Sequence, residues 1–106
     1  MVIKDMAKSR LYRLSPQAEN DLDDIWSYTV RQWSAKQAEK YHANIIAAIE
    51  ALTKGDQRGY DVGDLRTGYF KYPVGRHFIF YRTSDDRLDI IRILHKQMDV
   101  AARLRE

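Results

Sequence analysis

The 106 residues contain no cysteine, which excludes disulfides and thiolate chemistry and suits a reducing cytoplasm, the expected location. No apolar run approaches the roughly 20 residues that cross a bilayer, and no signal-peptide pattern opens the chain. His42, His77 and His95 are the only histidines; they lie far apart without metal-ligand spacing, so neither a metal nor another cofactor is expected. Repeats and low-complexity tracts are also missing. What remains is a chain with 44% hydrophobic and 31% charged residues, a composition that folds as one modest domain rather than staying disordered.

Charge is spread unevenly. Residues 1–53 carry 7 basic and 7 acidic side chains, whereas residues 54–106 carry 11 and 8, so the whole net charge of +3 lies in the second half. That is milder than the basic stripe of a dedicated DNA-binding domain, and no sequence-specific nucleic-acid recognition is expected.

Residues 1–8 lack any period and read as a loose extension preceding a single domain over 9–106. A strand is expected at Leu11–Leu14. Ser15-Pro16 marks a helix start, with Ser15 as N-cap and proline at the first helical position. Ala18, Leu22, Ile25, Trp26, Thr29 and Trp33 recur at helical steps, while Asp21, Asp23 and Asp24 read as a solvated face favoured by the helix dipole. At Ser34 the pattern resets, with Gln37 completing a capping box and Trp33 positioned to staple the next turn. A one-residue joint then implies a tight helical hairpin, in which Trp26, Tyr28 and Trp33 pack. The second helix carries Ala38, Tyr41, Ile45, Ala48, Ile49 and Leu52 on one face and ends at Gly55.

Asp56–Asp64 reads as loop. Three strands follow, at Leu65–Tyr72, Arg76–Thr83 and Arg87–His95, with Gly68 and Gly75 as turn or bulge glycines and Asp99 opening a short terminal helix. His77 and His95 read as hydrogen-bonded residues at a sheet margin. The order is β-α-α-β-β-β, an α+β fold with the hairpin on one face of a twisted antiparallel sheet. The last strands, however, are apolar on both parities: Phe78 and Phe80 alternate with Ile79 and Tyr81, and Ile90 with Ile91 and Ile93. A sheet with one wet face alternates apolar with polar. The second face therefore needs a cover, from the C-terminal segment, a twin subunit or another protein.

Four ordered stretches resemble the ParE branch of the RelE/ParE toxin superfamily, the plasmid stabilisation proteins. They are Tyr12-Arg13-Leu14-Ser15-Pro16-Gln17-Ala18 leading into Asp21–Trp26; Trp33 with Gln37-Ala38 and Tyr41; Leu65–Tyr69 followed by Gly75–Arg82; and Ile91–Asp99. The resemblance implies a helix hairpin on a twisted sheet, and a non-catalytic toxin that poisons DNA gyrase and is neutralised by a ParD-like antitoxin. The alternative is the RelE-like branch, which cuts mRNA on the ribosome and needs cations plus a general acid/base. For that chemistry His95, Arg82 and Arg92 are the candidates, although Phe78 occupies the position where that branch carries a strand arginine.

Arg82 and Arg92 sit in apolar strands. Each either pairs with an acid such as Asp85, Asp89 or Asp99 or snorkels to the sheet edge, or else contacts an acidic antitoxin segment or gyrase. Candidate toxic determinants are Arg82, Arg92, His95, Lys96 and Arg103. The expected antitoxin face comprises Leu11, Leu14, Trp26, Trp33, Phe78, Phe80 and Tyr81, taken by a helix in a groove or by β-addition at a free edge.

Overall fold

The computed structural model describes residues 11–84, 86–98 and 100–104; the expected loose segment at 1–8 and the helix-opening role of Asp99 fall outside them. Strand β1 spans Leu11–Leu14 and helix α1 Pro16–Gln32. As the capping pattern requires, the Ser15 hydroxyl accepts the Ala18 N–H at 3.0 Å. Helix α2, Ala35–Lys54, is capped by Ser34, whose hydroxyl accepts the Gln37 N–H. It ends at Gly55, whose φ of +83° is a left-handed conformation that a side chain would disfavour. The joint comprises two residues, Trp33 and Ser34, not one.

The β region departs from expectation at its start. Residues 62–69 are largely turn, and a two-residue strand β2, Tyr60–Asp61, lies inside the anticipated loop. Strand β3 runs Phe70–Val74 and takes in Pro73 and Val74, which leaves Gly75-Arg76 as the hairpin turn to β4, His77–Thr83. Gly75 has φ +54°, and a Cβ there would stand 2.5 Å from the Tyr41 ring, so only glycine fits. Strand β5, Arg87–His95, closes the set, and α3 covers Val100–Leu104.

The sheet order is β1-β5-β4-β3-β2. The α+β architecture of a hairpin on a sheet is as expected, and the β2–β5 meander is antiparallel. The β1/β5 pair, in contrast, is parallel. Two helices intervene between β1 and the meander, so no short turn dictates its direction. Between β4 and β5 the register slips: Phe80 faces Arg92 while Tyr81 faces Ile90, which makes Ile91 an extra residue on β5.

Two apolar clusters result. Ala18, Leu22, Ile45, Ile49 and Leu52 of the hairpin pack on Ile79, Tyr81, Leu88, Ile90 and Ile93. On the opposite face Phe80 and Leu94 pack with Val62, Tyr69 and Leu104. The chain thus covers much of its second sheet face itself, with α3 and the 62–69 turn. Phe80 and Tyr81 are 0% and 4% exposed, so both are removed from the expected antitoxin face. Two aromatic hairpin residues are corrected in the opposite sense: Trp33 is 70% exposed and Tyr28 56%, while Trp26, 37% exposed, meets His42 of α2 edge-on. The buried stripe runs through Ala18, Leu22 and Thr29; Trp33 lies past the last helical turn and staples nothing.

If the tail seals the second face, Leu104→Ala destabilises the domain by about 2–5 kcal/mol. Trp33→Ala stays within about 0.5 kcal/mol. Urea denaturation of the two variants beside the parent checks both.

Candidate functional site

The residues singled out in the sequence separate into three places. The first is a clasp between α1 and β5. Strand β1 stops pairing at Leu14↔Ile90, and beyond it the backbone of β5 needs other partners. Ser15 supplies them first: its N–H donates to Ile90 O, and its hydroxyl to Ile91 O at 2.7 Å. One turn later the Asp21 carboxylate accepts the Ile93 N–H at 2.9 Å. The same carboxylate takes Arg92 in a two-pronged pair, Nε–Oδ2 2.9 Å and Nη2–Oδ1 3.0 Å. Both side chains are only 11% exposed. Asp21 is therefore not a solvated face residue, and Arg92 pairs with an acid as expected, here Asp21. Held in this way, Arg92 cannot reach a docked macromolecule without stranding Asp21.

The second place is the far end of β4 and β5. Asp89 is buried and ringed by Arg87 at 3.0 Å, Arg13 at 3.6 Å and Arg82 at 3.9 Å. Three guanidinium groups share one carboxylate, so this corner carries an excess of positive charge. It borders a groove of about 500 Å³ that also takes in Leu14, Pro16 and Ile91. Arg82 is solvent-accessible here, as are Arg13 and Arg87.

The third is the sheet margin nearest α2, where His77 and His95 stand opposite each other on β4 and β5 with ring centroids 5.2 Å apart. The Tyr41 hydroxyl accepts the Arg76 N–H and lies within hydrogen-bond distance of Val74 O and 2.7 Å from His77 Nδ1. It has one proton for Val74 O and His77 Nδ1, so the His77 tautomer decides which of them receives it. Burial pushes the His77 pKa down to about 4; repulsion from His95 and Lys96 adds to this, and Asp21 opposes it. Burial also raises the Tyr41 pKa. His95 Nδ1 accepts the Gln97 N–H, so its neutral ring carries the proton on Nε2. The sheet-margin position of both histidines is as expected from the sequence; Tyr41, 36 positions from His77, gives no local sign of joining them.

His95, Arg82 and Arg92 do not converge. Arg82 sits five residues along β4 from His77, the partner of His95, or roughly 16 Å at strand rise. Lys96 and Arg103 are exposed. Among the described residues, no group of three His, Cys, Asp or Glu side chains is placed to hold a metal.

Comparison with known proteins adds the family signal. Residues 12–100 match the family described as ParE toxin of type II toxin-antitoxin system, parDE. The ParE1 toxin of Caulobacter vibrioides is 41% identical over 93 residues, covering 88% of this chain and 96% of that protein. A ParE1 toxin of Mycobacterium tuberculosis is 38% identical over 93 residues, 87% of this chain and 95% of its own length. Among solved structures, the chromosomal ParDE system of P. aeruginosa superposes with a TM-score of 0.70 at 18% identity, over 84% of this chain and 98% of that one. The RelBE2 toxin–antitoxin complex of Mycobacterium tuberculosis does so at 0.63 and 20%, over 83% and 99%. At those identities the structural likeness speaks for the fold alone.

Two outcomes follow from this geometry. Asp21→Ala costs about 3–5 kcal/mol, because it removes the carboxylate that takes the buried Arg92 guanidinium in two bonds and accepts the Ile93 N–H. Adding Arg92→Leu recovers part of that, with a coupling of about 1–3 kcal/mol, and Ile93 N–H stays unpaired; a double-mutant cycle in urea reads both. Separately, folded His77 binds its proton less readily than the unfolded chain does, so its share of stability is present above pH 6.5 and lost as pH falls toward 4. Denaturation midpoints of His77→Gln therefore fall less steeply across that window than those of the parent.

Proposed function

The chain belongs to the ParE toxin family of type II toxin–antitoxin systems, and from this premise we propose that it acts by non-covalent binding. Its target in this reading is DNA gyrase, trapped with cleaved DNA. A ParD-like antitoxin neutralises it, and both events take place in the cytoplasm. No helix among the described residues is long and apolar enough to cross a membrane.

The observation that carries binding over catalysis is the fate of Arg92. Phosphodiester cleavage requires a cation beside the developing charge and an acid/base within reach of the same atom. Arg92 is committed to Asp21, Arg82 is held toward Asp89 at the opposite end of the strand from His95, and Phe78 supplies no charge. Surface contacts require no such convergence. Arg82, His95, Lys96 and Arg103 remain our candidates for gyrase contact. Arg92 leaves that set.

We assign the antitoxin to the part of the expected face on and beside β1 and α1; Phe78, half-buried on the sheet face away from the hairpin, leaves that set. Leu11 and Leu14 lie on β1, whose only partner strand is β5 among the described residues. Trp26 and Val30 on α1, and Trp33 just past its end, are exposed apolar side chains. The two solved neighbours were determined as a ParDE system and as a toxin–antitoxin complex, which agrees with a partner of this kind.

Purified protein added to gyrase and relaxed plasmid should suppress supercoiling and accumulate linear DNA, while translating ribosomes keep their mRNA intact. Cleaved mRNA with unaffected supercoiling would overturn the reading in favour of ribonuclease activity dependent on His95.

A further inference from the structure

The positive charge of the second half is sorted by the fold. Arg13, Arg82 and Arg87 gather on Asp89, and Arg92 pairs with Asp21. Lys71, Arg76, Lys96, Arg66 and Arg103 pair with no carboxylate among the described residues. Three of these share a small area. Lys71 on β3 and Lys96 just past β5 both reach the Phe78 ring on the intervening β4, with Nζ atoms 4.4 and 5.1 Å from its centroid. Arg76 is tied to the same corner, its carbonyl accepting the Lys96 N–H. The motif recurs nearby: Arg66 lies 5.4 Å from the Tyr69 ring and donates to Leu104 O, one residue from Arg103.

Phe78 belongs to the sheet face away from the hairpin, beside Phe80 and Leu94. Unlike Phe80, it is only half-buried. A half-buried aromatic ring beside two ammonium groups that meet no carboxylate among the described residues combines the two elements by which single-stranded nucleic acid is held without sequence preference: charge for the phosphates and a flat ring for a base. An acidic polypeptide would use the charge but has no need of the ring. A duplex keeps its bases stacked and would use the charge alone.

We propose that the Lys71–Phe78–Lys96 face binds single-stranded nucleic acid, with the two lysines on phosphates and the ring under a base. This site is distinct from the α1 and β1 surfaces assigned to the antitoxin, and it does not depend on gyrase being the target.

The test is fluorescence anisotropy of a labelled single-stranded 20-mer of mixed sequence with the full chain at about 50 mM NaCl. Binding should weaken steeply with salt, and the logarithmic slope should become shallower by about 0.7 for each phosphate that a variant no longer neutralises. The double variant Lys71→Gln/Lys96→Gln should bind at least tenfold more weakly. Phe78→Leu, which keeps the apolar packing but removes the ring, should lose about fivefold or more. Arg87→Gln, at the Asp89 cluster, should bind like the parent. Thermal unfolding confirms that each variant remains folded. The proposal fails if the parent does not bind, if the lysine pair or the ring can be changed without effect, or if a duplex is held as tightly. It also fails if polyglutamate of equal charge displaces the strand as well as unlabelled strand does, which would make the face an acidic-protein dock instead.

Discussion

The pairing of Asp21 with Arg92 holds the two halves of this molecule in one arrangement. Helix α1 and strand β5 are 71 residues apart in the chain, and their junction lies where β1 ends and β5 would otherwise present bare backbone. Asp21 meets two needs with one carboxylate, accepting a strand N–H and balancing a guanidinium. The extra residue at Ile91 places Arg92 opposite Phe80, and its guanidinium meets Asp21 where β5 has run past the end of its pairing with β1. Removing either charge alone would be costly, while a well-packed apolar pair of similar volume could be about as stable. The pair is therefore better understood as fixing position than as supplying stability. It sets where α1 crosses the sheet, and with it where Ser15, the β1 edge and the hairpin core lie.

Once α1 is set, the two faces of the sheet are covered unequally. The hairpin buries Ile79, Tyr81, Leu88, Ile90 and Ile93 under two full helices. Among the described residues, the other face has a five-residue helix and a turn over Phe80 and Leu94. The smaller cover suffices for the centre of that face and leaves Phe78 half-open at its margin. A sheet apolar on both sides thus reflects two internal cores of different size more than one core and an empty dock. Exposed apolar side chains stay open on and beside α1, at Trp26, Tyr28, Val30 and Trp33, residues that helical periodicity alone partly assigns to packing.

Much of this is legible in the residues. Both helix starts follow from Ser15-Pro16 and Ser34, and the end of α2 from Gly55, because caps are local chemistry. The last two strands stand out through their β-branched and aromatic content. The start of β3 does not: Leu65–Tyr69 has strand-like composition, but the Val62 N–H and carbonyl tie it into a turn, a tertiary decision invisible to propensity. The parallel direction of β1 is hidden for a related reason, since nothing local links it to β5. Asp21–Arg92 could have been found. Asp21 lies three residues after buried Ala18 and four before half-buried Ile25, on the core side of its helix, and Arg92 interrupts an apolar strand. Two opposite charges, each misplaced for its own element, are a signal that they meet, and the dipole explanation for Asp21 obscures it.

The distribution of charge also bears on what kind of protein this is. A catalytic site concentrates perturbed groups around one point. Here the histidine with the depressed pKa is locked to Tyr41, the buried arginine to a helix carboxylate, and the accessible cations are spread along opposite ends of a rigid sheet. Those commitments keep the framework stiff and leave recognition to side chains at the periphery, where contact with one partner need not disturb contact with another. A small protein that must engage a large target and yet be disarmed by a second protein gains from that separation. In the proposed reading, an antitoxin on α1 and β1 would cover one edge of the molecule without remodelling the core, and its release would restore a surface already formed.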